Sequence, residues 1–205
     1  MQNDVDCCTV IEQSLKIDFS VVKILREECC MGLCKVLRHQ LKGFGRKVFE
    51  GLKEINVSYF EGKRENTLAL FNDEEQILKI NGWYYGLRAN KELYKNFKPI
   101  VHLIFEIVVT HEIWHYYIWK YKLKSSKEWK RIEKFYDENK ETILGFFQFI
   151  DSDAYPEDKR PEEFIVEGIA RWDAGVISNK VTNKEYRDMI DFIEDIYNSF
   201  KHYIN

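Results

Sequence analysis

No C-x-x-C pair occurs among the five cysteines, Cys7, Cys8, Cys29, Cys30 and Cys34. Their odd number and the two adjacent pairs exclude a regular disulfide framework and a cysteine zinc site, and point to thiols in a reducing compartment. Charge of one sign is also missing: 31 Lys+Arg against 34 Asp+Glu leave a net charge of -3. A dedicated nucleic-acid binder would carry a basic excess, so none is expected as partner. The one basic run, KVLRHQLKGFGRK at 35–47, reads as a solvated helix face. The opening residues, MQNDVDCCTVIEQ, place acids where a secretory leader is basic, and no apolar core follows. The expectation is a cytoplasmic chain without an export signal. Residues 100–119 are apolar but interrupted by His102, Glu106, His111, Glu112 and His115. That pattern suits a core helix and argues against a membrane span.

Repeats and low-complexity linkers are absent, while hydrophobic residues reach 45% and aromatics 15%, enough for a packed interior. Apolar spacing predicts a helix from about Phe19 to Leu41, stopped by Gly43 and Gly45. The period then falls to two in INVSYF (55–60), TLALF (67–71) and ILKINGWYY (77–85), with Asn81-Gly82 as a tight-turn signal. Three or four antiparallel strands are expected, with ILKI (77–80) at the edge. Pro99 suits the start of a long helix to about Tyr121, and Ser125 with Glu128 forms an S-x-x-E cap for a helix burying Trp129, Ile132, Phe135 and Tyr136. A helix over 162–172 follows Pro161 and ends before Gly175. Thr182 and Glu185 cap a last helix whose stripe is Tyr186, Met189, Ile190, Ile193, Ile196, Tyr197 and Phe200. The organisation expected is an N-terminal helical segment (1–50) and an α+β domain (51–205), together one compact unit.

The stretch VVTHEIWHYYIW (108–119) carries H-E-x-x-H. On a helix, His111 and His115 lie about 40° apart and one turn along the axis, so both rings can reach one ion. Zinc accepts neutral imidazole and, at catalytic sites, keeps a position for water. Glu112, about 100° around, stands where a carboxylate can act as proton acceptor beside the metal. Ile104, Ile107, Val108 and Ile118 share the histidines' face, where two rings without a partner would be costly to desolvate. His102 and Glu106 project to the opposite side and are expected to be structural. A third ligand must come from elsewhere, and the acidic helix 162–172 is the remaining source. Glu163 and Glu167 share one side of it, while Glu162 is turned away and suits the helix dipole.

THEIWH followed by PEEFIVEGIARW resembles the zinc metallopeptidases of the anthrax lethal factor-like and Pro-Pro endopeptidase family, which pair H-E-x-x-H with P-E-E-F-F-A-E. The resemblance covers residues 100–172. It implies a zincin-like fold of gluzincin type, with a small antiparallel sheet packed against the active-site helix. It implies zinc on His111, His115 and Glu163, a metal-bound water activated by Glu112, and hydrolysis of a peptide or protein. Glu167 would orient a ligand imidazole, and Tyr155 matches the tyrosine near the substrate carbonyl. The chain departs from the family at Trp114, in FIVEGIA, in the longer PEDKR loop, and over its first 50 residues. Beside this endopeptidase stand two other readings. One is a regulatory zinc protease of a phage or mobile element acting on one partner protein. The other is a non-enzymatic interaction domain with packed histidines.

Overall fold

In the computed structural model the described residues are 23–26, 52–58, 60, 67–81, 91–150, 160–177 and 183–204. They form an α+β chain of four short strands followed by five α-helices. The strands are β1 (Lys23–Arg26), β2 (Glu54–Ser58), β3 (Ala69–Asn72) and β4 (Ile77–Asn81). The helices are α1 (Lys91–Lys120), α2 (Lys127–Glu138), α3 (Lys140–Ile150), α4 (Pro161–Asp173) and α5 (Lys184–Ile204), with a 3-10 turn at Leu123–Ser125. The chain gathers into two compact units, Met1–Ile113 and Trp114–Asn205, and the division falls inside α1. Among the described residues no helix is long and apolar enough to cross a membrane.

The sheet departs from the antiparallel expectation. Its order is β1-β2-β4-β3, with β1 parallel to β2, β2 parallel to β4, and only β3 antiparallel to β4. β1 falls within the stretch expected to be helical. VVKIL, rich in β-branched residues, is too short for periodicity to separate helix from strand. ILKI is interior, and the described edges are β1 and β3. Leu78 and Ile80 alternate into the core, as a half-buried strand requires.

A tight turn lies between Asn72 and Ile77, joining β3 to β4; the Asn81-Gly82 expectation falls on residues outside the described ones from Gly82 on. Asn72 Oδ1 accepts from the Glu75 amide (2.9 Å) and Gln76 takes a left-handed φ of 60° to close it. Asn81 has another use: its Nδ2 donates to the Thr67 carbonyl (2.9 Å), and the residue is fully buried.

In the helices α1 begins eight residues before Pro99, which therefore sits inside it at the loss of one backbone bond. The cap of α2 is Ser126, one residue beyond the expected Ser125, because Leu123–Ser125 is taken up by the 3-10 turn. Ser126 Oγ accepts from the Trp129 amide (3.1 Å). Trp129, Ile132 and Tyr136 are buried on the expected face of α2. α3 was not anticipated, and its Ile143, Phe146 and Phe147 recur at helical spacing and are fully enclosed. Asn183 caps α5 through Oδ1 to the Tyr186 amide (3.4 Å); Thr182 lies outside the described residues.

α4 is the centre of the second unit. Phe164 through Arg171 are all buried, so the helix is enclosed on every side. Pro161 occupies its first turn, where no amide hydrogen is needed. Gly175, at φ 71°, ends it: the Val176 amide donates to the Arg171 carbonyl (2.9 Å) and the Gly175 amide to that of Trp172 (3.0 Å), a Schellman closure. Gly168 lets α5 approach closely, since a Cβ there would stand 2.7 Å from Ile193 Cδ1. Met189, Ile190, Ile193, Ile196, Tyr197 and Phe200 form the buried stripe of α5, with Tyr186 half-buried.

Candidate metal centre

His111 and His115 stand one turn apart on α1, both half-buried, so the helix itself fixes the spacing of their rings. Between them Trp114 is 2% exposed and packs on Tyr197 and Phe200 of α5, at centroid distances of 5.7 and 6.2 Å. The large ring at this position is thus an anchor between α1 and α5. It holds the turn that carries His115.

The first turn of α4 supplies the acids. One ligand atom each from His111, His115 and Glu163 lie within 4.8 Å of one another. Bonds of 2.0–2.2 Å in a tetrahedral site separate neighbouring donors by roughly 3.4 Å. Glu163 Oε1 stands 3.4 Å from His115 Nε2, which is that edge length. Two imidazole nitrogens and one carboxylate oxygen are a donor set that zinc takes at catalytic sites, with a position left for water or substrate. The three residues could hold a metal ion.

On the other side of the same ring, His115 Nδ1 is 2.9 Å from Glu162 Oε1. A carboxylate accepts there, so Nδ1 carries the hydrogen, and Nε2 on the Glu163 side is the nitrogen that could donate to a metal. Glu162 Oε2 is 2.5 Å from Lys124 Nζ. Burial pushes the Glu162 carboxyl up, but the bonds from His115 and Lys124 outweigh it and hold the group below its ordinary value.

Glu112 is buried, and its Oε2 accepts from the Phe71 amide of β3 at 2.6 Å. The register explains that donor. The Asn81 amide donates to the Leu68 carbonyl, so 68, 70 and 72 bond inward to β4 while the backbone of 69 and 71 points outward. An edge strand thereby orients the residue expected to act as base.

Of the other sequence candidates, Glu167 is buried and accepts from Arg171 Nε at 2.7 Å. Tyr155 lies outside the described residues, and Glu106 is half-buried. Glu162 and Lys124 were not foreseen as site residues. Two adjacent acids on a first turn, about 100° apart, were the available signal for Glu162. Lys124 had none, because its position depends on Lys122, whose φ of 51° reverses the chain after α1.

Compared with protein-family models, curated proteins and solved structures, the chain matches none.

Proposed function

We propose that this chain is a zinc-dependent endopeptidase of gluzincin type, with a zincin-like catalytic arrangement and a peptide or protein substrate. The observation that carries the reading is the convergence of His111, His115 and Glu163 around one point. The likeness of THEIWH and PEEFIVE to the anthrax lethal factor-like and Pro-Pro endopeptidase family supports it from the sequence side.

In this reading His111, His115 and Glu163 hold the cation. Zinc, when bound, supplies Lewis-acid polarisation of a carbonyl and makes water acidic enough to deprotonate near neutral pH. Glu112 takes the proton from the attacking water and delivers it to the leaving amine nitrogen. Its bond from the Phe71 amide holds the carboxylate in place. A substrate strand would run extended along the edge of β3 and pair with outward backbone groups other than the Phe71 amide, which Glu112 occupies. Tyr155 keeps the role that the resemblance implies, support of the oxyanion.

The test begins with metal content, expected to be one zinc per chain. Glu112→Gln is then compared with wild type on a peptide library. Loss of the general base should lower turnover by about 10²–10⁴-fold while zinc content is unchanged. Full cleavage by the variant, or a wild-type chain that binds no zinc, would overturn the assignment.

A further inference from the structure

We infer that Glu162 and Lys124 form a positioning pair that selects which nitrogen of His115, and which of two adjacent carboxylates, is presented to the cation. This rests on the zinc-centre reading above. Glu162 and Glu163 are neighbours on the first turn of α4, and both reach one imidazole, at 2.9 Å from Nδ1 and 3.4 Å from Nε2. A neutral imidazole has one N–H and one lone pair, so a carboxylate on one nitrogen dictates that the other is the metal donor. Chemically the two glutamates are equal, and either could serve as the third ligand.

Lys124 breaks that equivalence. Its ammonium lies on Glu162 Oε2 while His115 lies on Oε1, so both oxygens of Glu162 are engaged and neither is offered to a metal. Glu163 is left as the donor on the Nε2 side. The lysine comes to this place through the chain's own turn: Lys122 adopts the left-handed region, and the 3-10 turn Leu123–Ser125 carries residue 124 back toward α4. Its ammonium also sits 5.8 Å from the centre of the Trp129 ring. Glu162 touches His115 and Lys124 touches Glu162, so both act on the cation through His115.

The test uses the full chain and measures zinc affinity by competition with a chromophoric chelator. Alongside it, the visible absorption of the cobalt(II)-loaded protein reports ligand identity. Glu162→Gln should weaken zinc binding by about 10–100-fold and change the cobalt spectrum, with Glu162→Asp recovering part of both. Lys124→Met, at a side chain more than half exposed, should fold normally and show a smaller loss with the same spectral change. Glu163→Gln should cost more than either. Unchanged affinity and spectrum in Glu162→Gln overturn the inference while the zinc reading stands. If that variant does not fold, an unchanged Lys124→Met overturns it instead. A greater loss in Glu162→Gln than in Glu163→Gln reverses the ligand assignment and also overturns it. A wild-type chain that binds neither metal removes the zinc reading itself.

Discussion

Glu167→Leu separates a structural role for that acid from the imidazole-orienting role that the resemblance implies. Glu167 and Arg171 are 6% and 4% exposed, in the stretch of α4 enclosed on all sides, with Nε to Oε1 at 2.7 Å. Removing one member of a buried ion pair takes a close counter-ion from the other, at a loss of about 3–5 kcal/mol. For a chain of this length, each kcal/mol corresponds to about 2–4 °C, so the melting temperature should fall by roughly 6–20 °C. Replacing both groups, as Glu167→Leu with Arg171→Met, removes the second charge as well and should return to within about 1 kcal/mol of wild type. Thermal and urea unfolding of the four proteins in the cycle give the coupling directly. A single variant that loses less than about 1 kcal/mol, or a double variant as unstable as the single, refutes the ion-pair argument. Zinc titration of the double variant then decides the functional question. Retained affinity assigns Glu167 to the fold, whereas a loss in a stable protein assigns it to the metal centre.

Gly168→Ala should destabilise by about 1–2 kcal/mol, since overpacking against Ile193 exceeds the roughly 1 kcal/mol gained in helix propensity. Adding Ile193→Val should recover part of this in the same unfolding assay. Ser126→Ala should lose about 1 kcal/mol of stability, and Ser125→Ala less than about 0.5, in denaturant titrations that discriminate the two caps. Burial pushes Glu128 up, but its own backbone amide, the Tyr203 hydroxyl (2.9 Å), Lys127 and Ser126 hold it below its ordinary value of 4.5. Its contribution is therefore present above that value and lost as pH falls through the lower folded one, so Glu128→Gln should flatten the acid side of a stability–pH profile.

Local periodicity made α2 and α5 legible, because Trp129, Ile132 and Tyr136, and Met189 through Phe200, repeat every three or four residues. Pro161 and Gly175 likewise marked α4, since each has a conformation that other residues supply poorly. The sheet was less readable. Parallel pairing of β1 with β2 and of β2 with β4 joins segments far apart in the chain, and nothing in VVKIL or EINVS specifies a neighbour. Nor did the sequence show that the Asn81 amide would tie the Thr67 carbonyl, a link set by how β3 and β4 pair. At the metal centre, the spacing of His111 and His115 is written into five residues. The place of Glu162 beside His115 is not, because it depends on how α4 meets α1 across 47 positions of sequence.

The enclosure of α4 bears on the order of events in maturation. A helix buried from Phe164 to Arg171 would, in the metal-centre reading, have its direction set by packing and not by a cation. Its two leading glutamates then project from a helix held by apolar contacts, with Glu162 further fixed by His115 and Lys124. Loading can follow folding, with little ordering left for the ion to impose.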